Sequence, residues 1–264
     1  MKTSTKAILL FLGLILIAAG LINWLFVKPA TNGAAHEEIV QPQTAPPPKV
    51  DKPVTHYPIN PVTDAQTPAE ALPALPVSDT AMRNALANLI NEKTVNQFFY
   101  PSEIIRRLVV TIDNLPRDNV AAHLLPLKPV PGQFLVKEND KTIYLDAANY
   151  NRYTPYIDLV QNLNTKKLVV MYKYFYPLFQ QQYQELGYPD GYFNDRLIAV
   201  IDYMINFTEP TEPVQLVQKH VLYQYVDPEL EGASAGGKLL IRIGHDNAQK
   251  IKDKLREIRS ELIK

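Results

Sequence analysis

The side chains of this chain that could do chemistry are few and scattered. Its five histidines stand at 36, 56, 123, 220 and 245. No two have the i, i+4 spacing that puts a pair of imidazoles on one helix face for a metal, and there is no cysteine to add a thiolate. Residues 232–238 read GASAGGK, which sets Gly232, Gly237 and Lys238 as a phosphate-binding loop would. Leu239, however, stands where that loop needs a Ser or Thr for magnesium, and the preceding VDPELE is not the buried strand such a loop follows. The same run contains Gly-Ala-Ser-Ala-Gly, formally a serine nucleophile pattern, in which an acid and then a histidine should follow the serine. After Ser234 the first histidine is His245, with no acid between them. Ser234 is therefore read as the cap of whatever follows a flexible glycine turn. Glu103, Glu185, Asp190, Asp195 and Asp202 fall in helix or turn contexts. A glycan hydrolase needs only two carboxylates about 5 to 9.5 Å apart, and Glu103 with Asp195 is the pair named for that alternative. Carboxylates of this kind cap helices and form ion pairs in every domain, so no catalytic residue, metal site or cofactor is expected.

The densest cluster of functional side chains is ELGYPDGYFNDR, Glu185 to Arg196. Gly187 can end a helix, Tyr188-Pro189-Asp190-Gly191 has turn chemistry, and Asn194 or Asp195 can begin the next helix. A helix-turn-helix corner with tyrosines packed on it accounts for every residue. The functional alternative is a recognition loop in which Tyr188, Asp190, Tyr192 and Arg196 face a partner, because tyrosine and arginine are favoured interface anchors. Tyr172, Tyr174 and Tyr176 alternate on a helix, which spreads them over core and surface.

The elements that must position these residues are mostly helical. Ser78 or Asp79 can cap a helix carrying Met82, Ala85, Leu86, Leu89 and Ile90, and Ser102 with Glu103 opens another bearing Ile104, Ile105, Leu108, Val109 and Ile112. Thr154-Pro155 is a favourable start for a helix through Leu163. The run from Lys166 to Leu186 is the longest candidate, with a kink or break predicted at Pro177, and Asn194 caps a helix through Ile205. FLVKENDKTIYL is the exception. Phe134, Val136, Ile143 and Leu145 alternate around Asn139-Asp140, which predicts a two-stranded hairpin. Leu216 to Val226 fits strand and helix equally. From Asp246 to Lys264, Ala248, Ile251, Leu255, Ile258 and Leu262 recur at steps of three and four, an amphipathic helix that docks on the domain. The excess of basic residues between Lys238 and Lys264 reads as a solvated helix face. The expected fold is mainly α, a single helical domain over 78–264 with one small β-hairpin.

What precedes that domain concerns location. Residues 1–6 carry Lys2 and Lys6, and 7–27 read AILLFLGLILIAAGLINWLFV. At 1.5 Å per residue a helix of this length spans about 30 Å, the bilayer core. Ala7 and Val27 bound the span, Leu16 sits near its middle, and Trp24 suits the interfacial belt. The lysine bias puts the amino terminus in the cytoplasm and the rest outside. Cleavage as a secretory signal after Ala18-Ala19-Gly20 is the competing reading, but it would leave LINWLFV as an apolar new terminus. Residues 28–77 hold eleven of the chain's 22 prolines and, of the aromatics, only Tyr57, so they read as a disordered linker. With no cysteine, neither a lipid-modified terminus nor a disulfide is available. From Ser78 onward acidic and basic residues balance, 22 of each, which argues against a nucleic-acid partner. A domain held outside the membrane also has no supply of nucleotide. The expected partners are membrane lipid, through the helix, and a periplasmic protein or the peptidoglycan wall.

ELGYPDGYFNDRLIAVIDYMI, then VLYQYVDPELE, then AGGKLLIRIG and the closing KLREIRSEL resemble the bacterial domain-of-unknown-function family 3014, over roughly Leu75 to Leu262. The resemblance implies one amino-terminal span, a proline-rich linker and a periplasm-facing domain on the inner membrane of a Gram-negative bacterium. It carries no established activity and so no functional residues.

Overall fold

Apolar residues at steps of three and four become helices wherever a neighbouring helix covers the stripe. The computed structural model describes residues 55–59, 72–210, 213–219 and 221–264. Ala7, Leu16, Trp24 and Val27 of the expected anchor, and most of 28–77, lie outside the described residues. Among the described residues no helix is long and apolar enough to cross a membrane. The chain forms α1 (Asp79–Ile90), α2 (Glu92–Phe98), α3 (Ile104–Asn114), β1 (Val136–Asn139), β2 (Thr142–Leu145), α4 (Ala148–Gln161) and α5 (Thr165–Glu185). It continues through α6 (Phe193–Asn206), β3 (Gln215–Val217), β4 (Gln224–Tyr225), α7 (Pro228–Glu231), α8 (Ala235–Ile243) and α9 (His245–Leu262).

The expected mainly helical fold is present, and α9 is its hub. It packs on α4, α5, α6 and α8 and buries Ala248, Ile251, Leu255, Ile258 and Leu262, the residues its periodicity named. Helix α3 packs on α5 and α6. Together these helices enclose Tyr172, Phe179, Phe193, Met204 and Leu239. The basic face of α9 is not wholly solvated. Lys252 pairs with buried Glu209, and Lys254 reaches the Leu163 carbonyl and Glu257, because both stems emerge where α9 crosses other elements.

The hairpin forms, with Asp140 and Lys141 as its turn, both at positive φ. It is part of a larger sheet than expected. Gln215–Val217 pairs antiparallel with β2, and Gln224–Tyr225 with β3, so the ambiguous Leu216–Val226 carries a short strand at each end and no helix among its described residues. A second, smaller apolar cluster of Leu145, Val214, Leu216, Tyr225 and Ile241 holds this sheet against α8.

Helix starts depart from the local capping signals in four places. Ser78 precedes α1 without capping it, its hydroxyl donating instead to the Leu75 carbonyl at 2.7 Å. α4 begins at Ala148, with Pro155 inside it, and α5 runs unbroken through Pro177. Both prolines are exposed, so water can serve the carbonyl that each deprives of its donor. Glu103 takes the left-handed conformation ahead of α3. The Asp79 carboxylate, reaching across from α1, accepts the Glu103 and Ile104 N–H groups at 2.8 and 2.9 Å. Asn194 is buried within the first turn of α6 rather than capping it, and the side-chain oxygen of Gln180 accepts the Phe193 N–H at 2.9 Å.

The end of the glycine run is helical and buried rather than a loop. Ser234 caps α8 through the Gly237 N–H, as expected. Gly236 and Gly237 lie buried in the first turn of that helix, against Met204 and Phe207. A Cβ on Gly236 would also stand 3.1 Å from the Leu115 carbonyl oxygen. The N–H groups of Ala235 and Gly236 donate to the carbonyls of Arg117 and Leu115 at 2.7 and 2.8 Å. The donors that a phosphate loop would present are thus bonded to the end of α3. Gly237→Ala drives a methyl into the Phe207 ring, so we expect it to lower stability by about 1–3 kcal/mol through overpacking. Urea denaturation checks this, since helix propensity alone would raise stability by up to about 1 kcal/mol.

Candidate partner-binding site

Three consecutive side chains in the first turn of α6 point to three different parts of the molecule. Arg196 turns inward to α3. Its Nε donates to Asp113 Oδ1 at 2.9 Å, and a terminal nitrogen donates to the Asp113 carbonyl at 2.5 Å. Asp113 is 7% exposed and also accepts from Arg117 at 2.7 Å and from the Tyr188 hydroxyl at 3.1 Å. Arg117 in turn donates to the Tyr188 oxygen at 2.6 Å. This hydrogen bond, then the Asp113 charge, raises the Arg117 pKa.

The corner between α5 and α6 presents these groups. Gly187, at φ 106°, ends α5. Tyr188 then stacks on Tyr183 with ring centroids 4.5 Å apart. Gly191 passes so close to that pair that a Cβ there would stand 2.9 Å from the Tyr183 ring. Of the four residues read as a recognition loop, Tyr188 and Arg196 are brought together on Asp113, while Asp190 and Tyr192 remain exposed at the surface. Glu103 lies at the start of α3, beside Arg106 and Arg107.

The other two side chains of the turn hold a peptide segment. Asp195 accepts the main-chain N–H of His56 at 3.0 Å through one carboxylate oxygen and that of Tyr57 at 2.8 Å through the other. Asn194 donates to the Tyr57 carbonyl at 2.8 Å and accepts from the buried Tyr172 hydroxyl at 2.9 Å. In this segment Thr55, Tyr57 and Ile59 are half-buried and His56 and Pro58 exposed, and the chain bends at His56 and Tyr57, which turns two successive N–H groups toward one carboxylate. Tyr57 and Ile59 pack on the main core. Pro58 removes no donor that the site uses. Arg259 of α9 is bidentate on Asp202 of α6. Asp202 first and Tyr57 after it raise the arginine's pKa.

Asp113 and the segment site were not anticipated from the residues. Asp113 closes an apolar helical run, IIRRLVVTID, where an acid needs a partner. Tyr57 is the lone aromatic among the prolines of 28–77. Each is a signal with no partner visible in the sequence. Among the described residues no group of three or more His, Asp or Glu could hold a metal ion.

Asp113→Ala strips a shared acceptor from Arg196, Arg117 and Tyr188. We expect it to cost about 1–3 kcal/mol, against less than about 0.5 kcal/mol for exposed Asp190→Ala, compared by urea denaturation. The tyrosines give a pH test. Burial raises Tyr176 and Tyr183 to about 12, above the value of about 10 in an unfolded chain. Folding is then favoured by their neutral forms below pH 10, and that stability is lost as pH rises through 12. Phenolate absorbance should rise in two steps, exposed tyrosines near pH 10 and buried ones together with loss of helical circular dichroism.

No curated protein and no solved structure matches the chain. A family model described as Protein of unknown function (DUF3014) matches residues 104–259, from the first residue of α3 to Arg259, and so takes in Asp113, the α5–α6 corner and the whole of the α6 turn. With more than half its length matched, the chain belongs to the DUF3014 family.

Proposed function

We propose that this protein is a non-enzymatic binding or scaffolding module of the cell envelope. Residues 7–27 anchor it in the cytoplasmic membrane with the amino terminus inside, the proline-rich stretch from 28 up to the docked Thr55 acts as a spacer, and the helical domain faces the periplasm. Support for the anchor is the apolar run with its lysine bias, and for the spacer its proline content. The observation that carries the binding role is the α6 turn, where Asn194 and Asp195 hold a bent peptide segment by hydrogen bonds to its main chain. Gripping main-chain groups is how one protein takes a segment of another. This favours a periplasmic protein over peptidoglycan as the partner. Exposed Asp190 and Tyr192 lie on the same corner, and Tyr192 can supply aromatic contact area at its rim.

Two measurements check this. The chain lacks cysteine, so a single cysteine at exposed Asp190 should react with a membrane-impermeant maleimide in spheroplasts. Labelling only after lysis would refute the topology. A photo-crosslinking residue at Tyr192 should capture one defined envelope protein that the same residue at Glu138, on the distant hairpin, does not. Capture of glycan strands instead would make the wall the partner, and equal capture at both positions would defeat the reading.

A further inference from the structure

We infer that the α6 turn is an exchangeable receptor for a bent peptide segment. The chain's own Thr55–Ile59 occupies it in cis, and a segment of a partner protein takes its place. This rests on the reading of the protein as a binding module and adds the site, the ligand chemistry and a built-in competitor.

Both ends of the argument are in the contacts. On the receptor side, Asn194, Asp195, Asp202 and Arg259 all lie inside the family match, which spans 104–259. The segment that they hold lies well before it. On the ligand side, the hydrogen bonds from Asn194 and Asp195 go to two successive N–H groups and one carbonyl, groups that every residue other than proline supplies. The imidazole of His56 is 73% exposed, 3.6 Å from Asp195, so the side chain at this position is hardly read. Selectivity therefore falls on two side chains. Tyr57 lays its ring against the core, and Ile59 packs two residues later. The ligand class is a peptide that bends to present two successive free N–H groups, with a tyrosine on the second and an aliphatic residue two positions on. Proline between them is silent, as Pro58 is.

Exchange follows from how the segment is attached. Residues 60–71 separate it from the domain, and a connection of that length holds a segment near its site at an effective concentration in the millimolar range. A weak five-residue contact is then filled in cis, yet gives way to a segment that adds contacts at the exposed Tyr192 rim. The resident segment keeps casual peptides out and sets a threshold for the real partner.

The test uses the full chain in detergent or nanodiscs, with a nitroxide on His56→Cys, and a synthetic peptide covering residues 53–60. The label should be immobilised in the otherwise unchanged chain and mobile in Asp195→Ala, with circular dichroism showing both folded. Millimolar peptide should mobilise it. In a Tyr57→Ala/Ile59→Ala chain, a fluorescent copy of the peptide should bind at least tenfold more tightly than to the unaltered chain. Asp195→Ala, or N-methylation of the peptide at its tyrosine, should weaken binding tenfold or more. Equal binding to Asp195→Ala, equal binding of the N-methyl peptide, or no binding to the emptied chain would overturn the receptor. A concentration-dependent dimer abolished by Asp195→Ala would make a second copy the occupant and overturn the partner assignment. Failure of peptide binding leaves the crosslinking result at Tyr192 standing. Failure of crosslinking with peptide binding intact removes the proposed partner and keeps the site.

Discussion

The first turn of α6 is the point on which the arrangement depends. Asn194, Asp195 and Arg196 are adjacent in sequence, and a helix fans adjacent side chains about 100° apart. One turn can therefore address three directions at once. Arg196 fixes α6 to α3 through Asp113, Asn194 fixes it to α5 through Tyr172, and Asp195 faces outward to the bound segment. The outward group is held by its neighbours. With α6 pinned on two sides, the Asp195 carboxylate stands in one place and can take two successive N–H groups without loss of further freedom. That is the condition for a preorganised binding group.

The α3–α8 junction packs against the far end of the same helix. The carbonyls of Leu115 and Arg117 accept from the start of α8, an approach possible only because Gly236 and Gly237 carry no side chain toward Met204 and Phe207. Met204 and Phe207 belong to the other end of α6 and its exit. The glycines that imitate a nucleotide loop and a nucleophile turn therefore serve packing. What chemistry they lack as a loop they supply as a close contact that settles where α6 lies.

A site that recognises main chain explains why the functional signal is faint at the level of residue types. Catalytic and metal sites need rare side chains in particular combinations. A peptide receptor needs an acid, an amide and a surface on which two side chains can lie. Such a site leaves no motif, and its occupant here, THYPI, is an unremarked piece of a proline-rich stretch. Two pieces of that stretch, Thr55–Ile59 and Leu72–Val77, pack on the domain, where Tyr57, Ile59, Leu72 and Leu75 contribute apolar surface to the core.

Periodicity alone determined the helical class, the buried face of α9, the hairpin and the helix-ending role of Gly187, because burial of a stripe or an alternating face is a local property of the pattern. Ser234 as a cap was legible for the same reason, its partner being three residues away. The tertiary structure decided the rest. Local rules read Pro155 as a start and Pro177 as a break, yet exposure of both lets the helices continue. Asn194 has the composition of a cap and became an internal link, because Tyr172 and Tyr57 arrive from distant parts of the chain. Tyr188, Asp190, Tyr192 and Arg196 were legible as one group of interest, but only the approach of α3 shows that Asp113 gathers Tyr188 and Arg196 while Asp190 and Tyr192 stay exposed. Hydrogen bonds between residues separated by 83 or 138 positions, as Arg196 to Asp113 and Tyr57 to Asp195 are, have no local signature. Their partners are chosen by where the packed helices place them.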